Sequence, residues 1–229
     1  MGDTTMRGRI LAGLALLTLA GATARAQEPQ PAPGTVRLVV RPESKLWLEG
    51  TSNLHAWSCK ATALDAAIDV DSSYTTTEVA RGDIAGAAKL VKRVETKVPV
   101  RSLKCGHDGM DKNLYKALKA SDASQVHYIL GTFNVVPGGT RDSVTVEVAG
   151  TLTVAEVERP ITMTVTAERL DDGAVRARAA VPILMTDFGI KPPTALLGTL
   201  RTGNKVFVKF ELLVGPQTTV AAAGDPAQR

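Results

Sequence analysis

Large aromatic side chains are scarce in this 229-residue sequence: four Phe, three Tyr and two Trp make up 4% of it. A core or ligand site built on stacked rings is therefore not available. Histidine is rarer still, with His55, His107 and His127, and the only cysteines are Cys59 and Cys105. No G-x-S-x-G nucleophile elbow, cysteine-nucleophile signature or Gly-rich phosphate loop occurs. Asp187-Phe188-Gly189 spells a kinase tripeptide, but no Gly-rich loop or H-R-D motif accompanies it, and a bend entering the last strand pair is expected instead. No dense Lys/Arg stripe with interleaved aromatics is present, which argues against nucleic acid as a partner. No catalytic residue is assigned.

Long apolar runs are also missing. The longest, Ile10 to Ala20 (ILAGLALLTLA), is too short for a membrane span, which takes about 20 residues as a helix. It follows Arg7 and Arg9 and precedes Ala24-Arg25-Ala26, the layout of a secretory leader over residues 1–26. No cysteine lies near the cut to carry a lipid anchor. Cleavage after Ala26 takes Lys+Arg from 27 to 24 and Asp+Glu from 23 to 22, lowering the net charge from +4 to +2. The expected location is the periplasm or the exterior. Residues 27–34 (QEPQPAPG) and 216–229 are expected to be disordered, because neither can bury enough apolar surface to offset its ordering entropy. One folded domain is left over 35–215.

Alternation of apolar and polar residues dominates that domain. Val144 to Val148 (VTVEV), Ile161 to Ala167 (ITMTVTA) and Val206 to Leu212 (VFVKFEL) each place apolar groups on one face. Lys45 to Gly50 (KLWLEG) does the same. Period-two patterning rich in Val and Thr marks half-buried strands, and Pro137-Gly138-Gly139 and Asp171-Asp172-Gly173 supply turns. Short antiparallel strands so joined form a sandwich or a closed barrel. One segment differs: Asp111 to Lys119 has Leu114, Ala117 and Leu118 at helical spacing behind Met110. It predicts a short helix near residues 110–120, capped by Asp108 or Asp111, lying as a lid or plug over one barrel end.

In an oxidising compartment Cys59 and Cys105 are expected to pair. The competing arrangement is a zinc site of His55, Cys59, Cys105 and His107, whose spacing matches no standard zinc motif. Lys89, Lys92, Arg93, Lys97, Arg101 and Lys104 form a loose basic tract. It reads as a solvated strand face, or as a peripheral contact for anionic lipid headgroups.

Gly150 to Val165 (GTLTVAEVERPITMTV) resembles the G-x-L-T-x-x-G-V-x-x-P-V-x-L hairpin of the YceI-like family. MDKNLYKALKA resembles that family's helix after its long strand, KVPVRSLKC the strand before it, and Val181 to Leu213 its closing strands. Two departures stand out. Ala155-Glu156 replaces the usual hairpin Asn-Gly, so a different or longer turn is expected, and Val126-His127-Tyr128 lacks the usual proline. The resemblance implies a lipocalin-like closed antiparallel barrel of about eight strands. It implies no enzymatic cofactor, but a bound apolar lipid, a polyisoprenoid chain such as a quinone tail, as partner in a long tunnel. Side chains expected to line that tunnel are Val146, Val148, Leu152, Val154, Met163, Val165, Ile183, Met185, Val208 and Phe210. Trp47 and Trp57 are expected at a barrel end. The same residues would also suit a solidly packed barrel serving as a structural or interaction module.

Overall fold

The computed structural model describes residues 30–74 and 83–215. The leader expected over 1–26, the start of the linker and the tail over 216–229 lie outside the described residues. At the end of the linker the backbone N–H and the hydroxyl of Thr35 both donate to the Ala32 carbonyl.

Twelve strands follow: β1 (Thr35–Val40), β2 (Lys45–Ser52), β3 (Ala56–Ala61), β4 (Asp65–Asp71), β5 (Val91–Pro99), β6 (Leu103–Lys104), β7 (Gln125–Val136), β8 (Ser143–Val154), β9 (Val157–Arg169), β10 (Val175–Leu184), β11 (Thr194–Ala195) and β12 (Leu200–Gly215). Eight of them form an antiparallel ring in the order β1-β4-β5-β7-β8-β9-β10-β12, closed where Val39 and Val40 of β1 pair with Gly215 and Val214 of β12. Strands β2, β3 and β6 continue β1, β4 and β5 beyond short breaks and extend the wall, with β12 pairing β2, β2 pairing β3 and β3 pairing β6. The fold is thus a closed eight-stranded up-and-down barrel. Each residue's side chain alternates between the bore and the outside.

Hairpin β8–β9 runs in unbroken register from Ser143↔Glu168 to Val154↔Val157. Its turn is only Ala155 and Glu156, with φ of 49° and 70°. Both are left-handed, as a two-residue turn matched to strand twist demands. The longer turn expected from the missing Asn-Gly does not form, because twelve cross-strand pairs hold the register and impose the backbone on unsuited residues. By contrast, β9 and β10 share a ladder only from Thr166–Arg169 to Val175–Arg178. Past it, Val157–Val165 and Ala179–Leu184 are not laddered to each other. Proline removes a ladder donor and is tolerated at edges, and Pro160 and Pro182 stand on these two strands.

A helix that the sequence pattern did not reveal, α1 (Ile84–Lys89), crosses one end of the barrel. Asp83 caps it by accepting from the Gly86 N–H at 2.8 Å, and Ile84 packs with Val144 and Val146 in a buried cluster. The expected helix is α2 (Asp108–Ala117), over the other end. Its cap is His107, whose Nδ1 accepts from the Gly109 N–H. Asp111 instead turns back to accept from the Cys105 N–H at 2.7 Å. Neither expected aspartate is the cap.

Four of the six cations of the basic tract, Lys92, Arg93, Lys97 and Lys104, meet carboxylates: Asp69 and Asp71 on β4, Glu95 on β5 itself and Asp111 on α2. Asp69, 2% exposed, takes a bidentate Arg37 and faces Arg93 at 3.7 Å. Lys92 meets Asp71 at 3.5 Å, while Lys97, His127 and Arg93 all converge on Glu95. Lys104 lies 3.7 Å from Asp111, and Arg101 lies over the Tyr115 ring. This is a cross-strand charge ladder, not a free cationic face, so the expected headgroup contact has no support there.

Two outcomes follow. Glu156→Gly removes a left-handed side chain and a half-exposed ion pair to Lys119, so thermal denaturation is expected to show about 1 kcal/mol of added stability. Glu95 is held down to about 2, first by its bond to Lys97 and then by His127 and Arg93. Because its folded pKa is depressed from 4.5, its contribution is present above that pH and lost as pH falls toward about 2. Glu95→Gln should therefore flatten the stability loss in that window, as read by acid denaturation monitored by circular dichroism.

Candidate functional site

The bore contains an elongated cavity of about 430 Å³. Inward residues of β12 follow its whole length, from Thr202 through Val206, Val208, Phe210 and Leu212 to Val214. Twelve residues at about 3.3 Å each, tilted by about 40°, give a bore of roughly 30 Å. Leu46 and Leu48 of β2, Ile68 of β4, Val94 and Val98 of β5, Val126 and Leu130 of β7 and Ala177 and Val181 of β10 complete an apolar wall. Most of these are medium or small. The aromatics Trp57, Tyr128, Phe188 and Phe210 are few among them, and that is why space is left.

Of the ten residues expected to line a tunnel, nine face this cavity: Val148, Leu152, Val154, Met163, Val165, Ile183, Met185, Val208 and Phe210. Val146 does not. It points inward as its alternation requires, but α1 fills that end, and Val146 is buried against Ile84. On β8 the lining stops one inward step short, at Val148, although Val165, the partner of Val146 on β9, still faces the cavity. From the first half of the chain no lining residue was expected, although KLWLEG already put Leu46 and Leu48 on one face. The helical positions Met110, Leu114, Ala117 and Leu118 all line the cavity, so α2 is a lid whose apolar face closes the bore from above.

Trp57 lies against the inner wall with its ring flat over Gly50. A Cβ at Gly50 would sit 2.2 Å from that ring, so only glycine allows it to lie flat. Tyr128 lies in the same way over Gly150, where a Cβ would be 2.5 Å from the hydroxyl. Both aromatics widen the bore by hugging its wall. Burial pushes the Tyr128 hydroxyl up to about 12, keeping it neutral at any physiological pH. Trp47, expected at a barrel end with Trp57, is on the outer face, donating to Glu49 at 2.7 Å. Apart from Thr96 and Tyr128, the polar lining side chains (Ser52, His55, Asn113, Thr194 and Thr202) belong to the α2 end.

The lid is latched to the wall. Cys59 of β3 and Cys105, just ahead of α2, form a disulfide across 46 residues. Both sulfurs are used in that bond, His107 caps α2, and His55 bonds its Nδ1 to the Ala56 carbonyl, so the four candidate zinc ligands do other work. Tyr115 of α2 adds a second latch: its hydroxyl accepts from Lys104 Nζ at 2.7 Å and donates to the Leu103 carbonyl. Met185 to Phe188 form a tight bend ending at Gly189, and this drives Phe188, 2% exposed, into the core beside the lid. The bend expected from Asp187-Phe188-Gly189 is present.

Sequence and structure comparisons agree on this architecture. The family model described as "YceI-like domain" matches residues 49–214. A structure of BcnA from Burkholderia cenocepacia superposes with a TM-score of 0.58 at 14% identity, covering 76% of this chain and 99% of that one. A polyisoprenoid-binding domain from Saccharophagus degradans superposes with a TM-score of 0.55 at 14% identity, covering 80% and 98%. Comparison with curated protein sequences finds no match. At these identities the structural likeness speaks to the fold.

Reducing the disulfide is expected to lower stability by up to about 4 kcal/mol, because it releases a 46-residue loop in the unfolded chain. Denaturant titration with and without reductant measures it, and thiol titration of the native protein should find no free thiol.

Proposed function

Because the chain belongs to the YceI-like family, we propose that it is an exported carrier that holds a polyisoprenoid or similar long apolar lipid in its bore. The family is a binding fold, and the Saccharophagus relative is described as binding polyisoprenoid. One observation carries the reading for this chain: the cavity wall is apolar along its depth, and its polar groups gather at the α2 end. That gradient fits a chain-like ligand whose tail lies deep and whose head stays near the rim. Each buried CH₂ contributes about 0.8 kcal/mol, so ten of them reach about 8 kcal/mol, the free energy of a micromolar complex before the chain's own ordering cost. No polar anchor is needed. The leader-like segment over 1–26 supports export, and the paired cysteines suit an oxidising compartment. A solidly packed interaction module does not fit an open bore of this length.

Gently purified protein should release a stoichiometric long-chain lipid into organic solvent, identified by mass spectrometry. Val148→Trp, which fills the bore beside its closed end, should lower retained lipid by about tenfold, equivalent to about two displaced methylenes. Thr164→Trp, on the outer face of β9, should not. Lipid-free wild-type protein from several expression hosts would overturn the proposal.

A further inference from the structure

Two large apolar side chains stand largely exposed, and both are at the lidded α2 end of the bore. Leu54 is 72% exposed at the tip of the β2–β3 hairpin. Leu197 is as exposed as a free side chain, at 107%, at the tip of the β11–β12 hairpin. Leu197 is also left-handed, with φ of 55° and ψ of 32°. A leucine rarely adopts that backbone, and the strain gains no internal packing here. Left-handed strain held at a solvent-facing apolar tip needs a use outside the fold.

The two tips are fixed side by side. Asn53 donates from its backbone to the Arg201 carbonyl at 3.0 Å and from Nδ2 to the Thr199 carbonyl at 2.8 Å. Its Oδ1 accepts from the Arg201 N–H at 2.8 Å. One side chain thus joins the hairpins into a single apolar platform. The platform adjoins the cavity directly, since Ser52 and His55 on one tip and Thr194, Leu200 and Thr202 on the other line it. Exposed Lys191 and Arg201 flank the second tip, and no acidic residue occurs from Ile190 to Asn204 or from Gly50 to Leu64, although exposed Asp187 follows Thr186, which bonds Asn204.

We infer that this rim docks on an anionic lipid bilayer, inserting Leu54 and Leu197 so that the lidded end of the bore faces the lipid surface. The inference rests on the carrier reading and names the surface with which cargo is exchanged. Apolar tips enter the acyl boundary while Lys191 and Arg201 meet headgroup phosphates, the arrangement that binds peripheral proteins to charged membranes. It also moves the membrane contact from the β5 tract, where each strand cation is paired, to the rim, where Lys191 shows no carboxylate partner among the described residues.

Flotation with phosphatidylglycerol-containing vesicles tests it. Wild-type protein should float, and less so on phosphatidylcholine alone or at high salt. The double variant Leu54→Ser/Leu197→Gly should bind at least about tenfold more weakly. Leu197→Gly suits the left-handed backbone, so this variant should melt no lower than wild type, and lost binding is not lost folding. Phe207→Ser, which removes an exposed apolar group from the outer wall, should leave binding unchanged. Equal flotation of the double variant, no flotation of wild type, or an equal loss in Phe207→Ser would overturn the inference. Lipid extracted from the same preparations separates the two claims. Cargo kept by a variant that no longer floats supports docking, whereas wild type that floats without cargo sinks the carrier reading alone.

Discussion

Closure of the ring by β12 is the constraint on which the rest depends. This strand ladders with β10 along one edge and with β2 and then β1 along the other, so no wall edge is left at that junction. Once the ring shuts, strand number and tilt set its girth, and alternate residues have nowhere to point but inward. Whether the interior is solid or hollow then depends only on side-chain size. A wall mostly of Val, Leu, Ile, Met and Ala, with Trp57 and Tyr128 pressed flat over glycines and Phe188 and Phe210 as its other aromatics, leaves it hollow. Function follows from what the inner face does not contain.

The two ends are finished differently from similar material. At one, α1 drops Ile84 between Val144 and Val146 and seals the barrel with ordinary close packing. At the other, α2 is held by a covalent bond, a tyrosine hydroxyl and a buried aspartate, while its apolar face still borders empty space. A lid over a void gains little from packing and must be secured at its edges. The outer wall is held by charge instead: Arg37, Asp69 and Arg93 are cross-strand neighbours on β1, β4 and β5, and Glu95 gathers Lys97, Arg93 and the His127 ring one step along.

Much of the wall is legible in the sequence because a period of two is a local property. Once VTVEV, ITMTVTA and VFVKFEL are recognised as strands, their inward sets follow without knowledge of the partners. Val146 shows the limit of that logic. Its direction is readable, but the helix that covers it is six residues of Ala, Gly, Ile and Lys with no apolar repeat, marked only by Asp83 as a cap. The cationic tract misleads for a related reason: its partners Asp69 and Asp71 lie some twenty residues away, on a strand whose register no local pattern specifies. Ala155-Glu156 adds a third case. A turn's residues normally announce its type, yet here the long ladder dictates the turn, and the local preference is overruled.

The short ladder between β9 and β10 has a mechanical meaning. Four rungs join these strands, whereas twelve join β8 to β9 and ten join β10 to β12. Prising the barrel apart there breaks the fewest hydrogen bonds, and Met163, Val165, Val181 and Ile183 lie along the inner side of that line. Girth can therefore change most readily along that line, with the five-rung ladder of β5 and β7 next, while the long ladders keep their spacing, like a coat let out along a stitch line.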